Sequence, residues 1–374
     1  MYQREGKASL SESLPASDVA ARVPRLRERL ASAGCDAFLV TKIENVRYLT
    51  GFTGSSANVF VDGEHLVVTT DGRYQDQIVE QLASAGVAAE VYVGRSDEQR
   101  AAVRKVLTTQ RLGLEAGSVS WSERNELAQL LTGVTLVPTK GLVETLRRVK
   151  DAGELARIER AAEIADVALA QVKSRLAEEI SEREFAAELE FEMRRRGADG
   201  PSFDTIVASG PNSALPHAQP SSRRIQRDEM IVLDFGALVD GYHSDMTRTL
   251  CVGKPPPQLA EAAEAVLASQ RAGRLAVRPG ATAAEVDAAC REVLVEAGYG
   301  DAFLHPSGHG VGLEIHETPI LARGAKDVLQ AGEVVTVEPG AYLHGIGGIR
   351  IEDTVVVEDQ GARALSRSTK DMTL

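Results

Sequence analysis

Apolar residues recur at Val19, Val23, Leu26 and Leu30, a spacing of three and four. That spacing predicts a helix over 18–33, stopped by Gly34. Asp36-Ala-Phe-Leu-Val40 is a short apolar run and reads as a buried strand. Asn58–Val61 and His65–Thr69 flank Asp62-Gly63, which predicts a β-hairpin. Residues 74–85 return to helical spacing, and Ala89–Val93, Leu112–Glu115 and Thr135–Val137 read as further strands. Alternation of this kind over roughly 130 residues predicts an α/β layer structure.

Pro138 to Gly141 marks a boundary, after which the pattern changes. Leu142–Val149 and Glu154–Leu176 read as amphipathic helices. Ser181-x-x-Glu184 and Thr282-x-x-Glu285 are capping boxes that open two more, ending near Gly197 and Gly298. Apolar β-rich stretches follow at Met230–Gly236, Ser244–Val252, Val334–Glu338 and Gly348–Val357. The division expected is a polar extension over 1–17, an α/β domain over 18–141 and an α+β domain over 142–374. Within the last, helix, helix and an acidic β-hairpin occur twice, with Asp234 and Asp245 in one copy and Glu338 and Glu352 in the other. A duplication predicts pseudo-two-fold symmetry with four carboxylates near the axis.

Composition narrows the function. Of 374 residues, 43% are apolar and 26% charged, as in globular proteins. No apolar run approaches the roughly 18 residues of a membrane span. The first residues lack the apolar core of a secretion signal, so a cytoplasmic location is expected. A net charge of −12 without a Lys/Arg run argues against nucleic acid or an anionic membrane as partner. Cys35, Cys251 and Cys290 are odd in number and widely spaced, which excludes a disulfide framework or a zinc–thiolate site. They read as buried apolar residues.

The chemistry concentrates in acidic residues set inside apolar strands. Strand alternation puts Asp234 with Met230 and Val232, Asp245 with Thr247, Glu338 with Thr336, and Glu352 with Arg350. A tight turn near 239–241 places Asp234 and Asp245 on one face, opposite each other or one diagonal step apart. Buried carboxylates cost several kcal/mol unless paired. One way to pair them is a set of salt bridges to Arg248 and Arg350. The other is a pair of divalent cations, which balances four negative charges, with a neutral histidine completing the donors. Such a set suits Mn, Co, Fe or Zn. Two metals held about 3.5–4 Å apart can hold an oxygen nucleophile between them. The histidine candidate is His309, within His305-Pro-Ser-Gly-His-Gly-Val-Gly-Leu-Glu-Ile-His-Glu-Thr-Pro319, where three histidines lie among glycines. His243 and His344 read as hydrogen-bonded or solvated histidines outside the ligand set.

The C-terminal part resembles the pita-bread metallopeptidases, the group of aminopeptidase P, prolidase, methionine aminopeptidase and metal-free creatinase. The resemblance rests on Pro201-Ser-Phe-Asp-Thr-Ile-Val-Ala-Ser-Gly-Pro-Asn212, Pro216-His217, Leu233-Asp-Phe-Gly236, Ser244-Asp-Met-Thr-Arg-Thr249, the His305–Pro319 stretch, Val337-Glu-Pro-Gly340 and Gly347-Gly-Ile-Arg-Ile-Glu-Asp353. Arg47-Tyr-Leu-Thr-Gly-Phe-Thr-Gly-Ser55 and Thr70-Asp-Gly-Arg-Tyr74 look like the creatinase-type N-terminal domain. The resemblance implies two divalent ions, manganese first with Co or Zn as alternatives, on Asp234, Asp245, His309, Glu338 and Glu352. It implies Glu338 as general base, His217, His305 and His316 as substrate-side histidines, and Arg350 as a residue orienting Glu352. It also implies proline-containing peptides as substrates and a homodimer. For Arg47, Tyr48, Asp71 and Arg73, domain packing and substrate contact across a subunit boundary both remain open.

The complete ligand set argues against creatinase, and the large N-terminal domain argues against methionine aminopeptidase. An Xaa-Pro aminopeptidase is the reading preferred here, with Xaa-Pro dipeptidase (prolidase) as the alternative and a non-catalytic peptide-binding protein as the option from another class. Prolidase-like relatives often carry an arginine after His-Glu-x-Pro, whereas this chain has Ile320 there and Arg323 three residues on.

Overall fold

The computed structural model describes residues 14–374. Most of the expected N-terminal extension, residues 1–13, lies outside that range. Residues 14–17 are docked rather than frayed: the Pro15 carbonyl accepts from Arg157 Nη1 at 2.9 Å, and Gly153 abuts the Ala16–Ser17 backbone so closely that a Cβ would lie 2.5 Å from Ser17 N.

The first layer is built on β1 (Ala37–Val40), buried at every position. Only a strand covered on both faces requires such a run. With β2 (Ala57–Val61), β3 (Leu66–Thr70), β4 (Glu90–Val93), β5 (Arg111–Glu115) and β6 (Thr135–Thr139) it forms a sheet of order β4-β3-β2-β1-β5-β6. The β2–β3 hairpin turns over Asp62–His65, where Asp62 Oδ1 accepts from the amides of Glu64 (2.8 Å) and His65 (2.6 Å). Helices α1 (Arg22–Leu30), α2 (Ile43–Thr50), α3 (Gln75–Ser84), α4 (Ser96–Val106) and α5 (Trp121–Leu130) cover the sheet. Of these, α2, α4 and α5 are not apparent in the apolar spacing. Their starts are set locally, as where Ser120 and Glu123 close a capping box on α5.

The predicted helix over Leu142–Val149 is a single turn, α6 (Glu144–Arg147). It leads into α7 (Ala152–Val172), capped by Asp151 and Glu154, and then α8 (Glu182–Arg195), capped by Ser181 and Glu184. Strands β7 (Gly200–Pro201), β8 (Ile206–Ser209), β9 (Met230–Phe235), β10 (Ala237–Val239), β11 (Tyr242–His243) and β12 (Met246–Cys251) follow. The second helix pair is α9 (Pro257–Ala276) and α10 (Ala283–Glu296), the latter opened by the Thr282/Glu285 box. After it come β13 (Gly308–Gly310), β14 (Glu317–Leu321), β15 (Val334–Val337), β16 (Gly340–Leu343), β17 (Gly347–Arg350), β18 (Asp353–Glu358) and β19 (Gly361–Ala364). The predicted duplication is therefore present as two helix pairs, each followed by strands. The β-rich stretch over Gly348–Val357 holds two strands, β17 and β18, which belong to different sheets. The chain leaves the ladder at Ile351–Glu352, where the Glu352 amide donates to the Thr247 carbonyl at 3.1 Å. Among the described residues no helix is long and apolar enough to cross a membrane, and all three cysteines are free and buried.

One apolar cluster joins the two parts. Val40, Leu49 and Phe52 on the N-terminal side belong to the same buried group as Val143, Leu146, Ile158, Tyr242, Val311 and Val334. Beside it lies a buried ion cluster. Arg147, 2% exposed, donates to Asn45 Oδ1 at 2.7 Å, bonds Glu317 Oε1 and stands 3.0 Å from Glu314 Oε2. Lys150 Nζ approaches Glu317 Oε2 at 3.3 Å. Burial pushes the Glu317 carboxyl upward, but Lys150 and Arg147 outweigh it and hold the pKa down to about 2. The folded value lies below the ordinary 4.5, so this stabilisation is complete above that pH and lost as pH falls toward 2. The shift corresponds to about 3 kcal/mol. Glu317→Gln is expected to unfold more easily at neutral pH, and its unfolding free energy is expected to fall less steeply than wild type below pH 4.5. Denaturant titrations across that range check this, and identical slopes would contradict it.

Candidate active site

Strand β9 pairs antiparallel with β12, Asp234 opposing Thr247 and Phe235 opposing Met246. The same register continues through β10 and β11 to a two-residue turn at Asp240-Gly241, both at positive φ. Asp245 is thus one diagonal step from Asp234, on the same face. At the inner bend, Gly236 is required: a Cβ would lie 1.8 Å from the Ser244 carbonyl oxygen. His309 is delivered by β13, which lies between β14 and β15. There Gly308 allows the close approach, since its Cβ would meet Thr336 O at 2.0 Å. The Thr336 hydroxyl accepts from the His309 amide (3.0 Å) and donates to Glu338 Oε1 (3.3 Å), tying imidazole and carboxylate to one strand end.

These elements converge on a cavity of about 570 Å3 lined by Asp234, Asp245, His309, Glu338 and Glu352, and also by His217, His305, His316 and Arg350. His309 Nε2 lies 3.5 Å from Asp245 Oδ2 and 3.4 Å from Glu338 Oε1. Donor atoms of Asp245, His309 and Glu352 all fall within 4.8 Å of one another. His309 Nδ1 donates to the Gly310 carbonyl at 3.0 Å, which leaves Nε2 as a bare lone pair facing the carboxylates. Burial holds the His309 imidazole below its ordinary pKa, so it is neutral. Burial, and after it the neighbouring carboxylates, push Asp245 and Glu352 well above the carboxylate range; burial also raises Glu338.

Arginine does not neutralise this set. Among the described residues, only Asp234 of the five candidate ligands has one, Arg350 Nη2 at 2.5 Å. Arg248 pairs with Asp353 instead. The expectation that Arg350 orients Glu352 is corrected in detail. Its Nε donates to Thr247 Oγ1 (3.0 Å), and that hydroxyl donates to Glu352 Oε2 (2.8 Å), so the threonine intervenes. Asp234 Oδ1 and Glu352 Oε1 are buried without any hydrogen-bond partner among the described residues. Orphaned oxygens, several buried negative charges against one arginine, and a single lone-pair imidazole form a donor set that fits hard or borderline divalent cations.

Three polar residues of the site are not apparent from sequence reasoning. Tyr342 is one. Arg350 Nη1 donates to its hydroxyl at 2.7 Å, and the hydroxyl donates to His305 Nε2 at 2.9 Å. That direction is fixed because His305 Nδ1 donates to the Pro306 carbonyl. The signal was present in alternation: β16 pairs with β17 so that Tyr342 opposes Gly348 and shares a face with Arg350. Asp204 and Gln219 at the cavity wall are the others, and no local pattern marks either as a site residue. The His316 ring packs edge-on to His309, centroids 4.3 Å apart. His243 bonds Ser202 Oγ at 2.9 Å and lines a separate cavity with Arg47, and His344 lines neither. Tyr48 is buried beneath Arg22, and Asp71 pairs with Arg73 on the surface.

Comparison with known proteins agrees with this geometry. The profile of "Creatinase/Prolidase N-terminal domain" matches residues 22–149 and that of "Metallopeptidase family M24" matches 156–359. An Xaa-Pro dipeptidase of Pyrococcus furiosus is 36% identical over 94% of this chain and 99% of its own length. The structure of an Xaa-Pro dipeptidase from Bacillus anthracis superposes with a TM-score of 0.91 at 39% identity, covering 95% of this chain and all of that one. An X-Pro aminopeptidase from Thermotoga maritima gives 0.86 at 34%, covering 94% and 99%. With its creatinase-type N-terminal domain and pita-bread catalytic part, the chain belongs to metallopeptidase family M24.

Proposed function

We propose that this protein is a metal-dependent Xaa-Pro dipeptidase. The observation that carries the reading is the buried carboxylate set around a neutral imidazole, in a chain whose full-length relatives include Xaa-Pro dipeptidases. This replaces the aminopeptidase preferred on sequence grounds, because relatives bearing the dipeptidase name align over nearly the whole chain. Asp234, Asp245, His309, Glu338 and Glu352 would hold two divalent ions, manganese being the first choice. When bound, such ions supply Lewis-acid activation of water and of the scissile carbonyl.

The chain's own residues supply the rest. Glu338 takes a proton from the attacking water and returns it to the departing proline nitrogen. His217 and His316 stand at the cavity wall to hydrogen-bond the peptide as charge develops on its carbonyl oxygen. Arg350 holds Asp234 and, through Tyr342, fixes the His305 ring. A cytoplasmic homodimer acting on proline-containing peptides completes the reading.

One observation favours an Xaa-Pro aminopeptidase as second reading. A dipeptide presents a free carboxylate, which arginine binds well. Ile320 lines the cavity, Arg323 lies in a different groove, and Arg350, the single cation lining the cavity among the described residues, is committed to Asp234.

Asp245→Ala is expected to abolish turnover together with Mn2+ binding measured by calorimetry. A binding protein would keep its peptide affinity in this variant. With Mn2+ supplied, an Ala-Pro dipeptide is expected to be hydrolysed at least tenfold faster than an Ala-Pro-Ala tripeptide. The reverse preference would transfer the assignment to aminopeptidase.

A further inference from the structure

Every residue lining the cavity lies between Phe203 and Glu352, so the N-terminal layer gives it no side chain. The buried ion cluster nevertheless links that layer to one wall. Asn45 of α2 holds Arg147 Nη1 at 2.7 Å and donates to Glu115 of β5 at 2.7 Å. Arg147 and Lys150 then grip the two oxygens of Glu317. Glu317 is buried, 8% exposed. Glu314 donates its amide to Glu317 Oε1 at 3.1 Å, and a Cβ on Gly312 would fall 2.7 Å from Oε2. The immediately preceding residue is His316, exposed in the cavity. His316 is the bend residue just before β14, so the two neighbours part there: the Glu317 carboxylate lies in the ion cluster while His316 lines the cavity. The register is anchored here as well. Glu317 opposes Gly310, the residue after His309, and the pairing then skips so that Ile320 opposes His309.

We propose that Arg147 is a positioning residue: with Lys150 it clamps Glu317 and so sets where His316 stands in the cavity. The N-terminal layer thereby acts on catalysis within its own subunit, through Asn45 and Arg147, without touching the peptide. A guanidinium suits this task because its planar fork bonds Asn45 on one nitrogen and Glu317 on the other, which an ammonium at the same place cannot reproduce.

The inference rests on the peptidase reading, and a double-mutant cycle separates the two. Wild type, Arg147→Lys, His316→Ala and the double variant are compared as Mn2+-loaded full chains, with melting temperature, kcat and KM for Ala-Pro. Arg147→Lys keeps the charge, so its melting temperature is expected to stay within a few degrees of wild type. Its KM is expected to rise, and kcat/KM to fall about tenfold. The double variant is expected to be no worse than His316→Ala alone, since both act through one imidazole. Losses that multiply, or a fall in kcat at constant KM that follows the folded fraction, overturn the proposal. Should Arg147→Lys not fold, Lys150→Met takes its place in the same cycle. Wild type that hydrolyses no Xaa-Pro peptide defeats the peptidase reading instead. The positioning role is then read from the rate at which diethyl pyrocarbonate modifies His316, followed by mass spectrometry. Faster modification in Arg147→Lys supports it, and an unchanged rate refutes it.

Discussion

The constraint on which the rest of the structure depends is the convergence of four carboxylates in a cavity with one arginine to balance them. Burial disfavours the charged form of Asp245, Glu338 and Glu352 and pushes all three upward, and the repulsion of neighbouring carboxylates adds to this. Arg350 neutralises one partner, Asp234. The remaining carboxylates, with two orphaned oxygens among them, are costly to bury unless positive charge offsets them, which is the chemistry of a cation site.

Local departures from regular structure deliver these side chains. An unbroken β17–β18 strand would keep Glu352 in a ladder, whereas leaving the ladder at Ile351 lets its backbone bond Thr247 O and its side chain bond the Thr247 hydroxyl. The bend at Gly236 and the register shift after His309 do the same for Asp245 and the imidazole. Gly236 permits the first of these bends, the Thr336 hydroxyl accepts the His309 amide, and the Thr247 carbonyl accepts the Glu352 amide. Close backbone approach, as at Gly308 and Gly348, thus explains glycines in the last third of the chain, and Gly236 before them serves the same end.

This explains what the sequence could and could not reveal. Parity along a strand survives any register that preserves it, so the shared face of Asp234 and Asp245 was legible, as was that of Tyr342 and Arg350 had it been sought. Capping boxes were legible because their hydrogen bonds span three residues. The break at Glu352 was not, since apolar residues continue through it and the partner that replaces the ladder, Thr247, is 105 positions away. Nor were α2 and the ion cluster around Arg147, whose partners Asn45 and Glu317 lie 102 and 170 residues distant. Charged residues at such spacing look like solvated surface until the fold buries them.

Charge accounting also frames selectivity. Relatives that carry the dipeptidase name share this fold over nearly the full chain, and among the described residues Arg350 is the one Arg or Lys side chain that lines the cavity. Arg350 cannot turn to a substrate without releasing Asp234 and Tyr342, and releasing Asp234 would add another unbalanced charge to the cluster. Asp204 on the same wall adds negative charge and disfavours a substrate carboxylate nearby. A carboxylate terminus brought into this cavity would therefore meet negative charge that the described residues leave unbalanced.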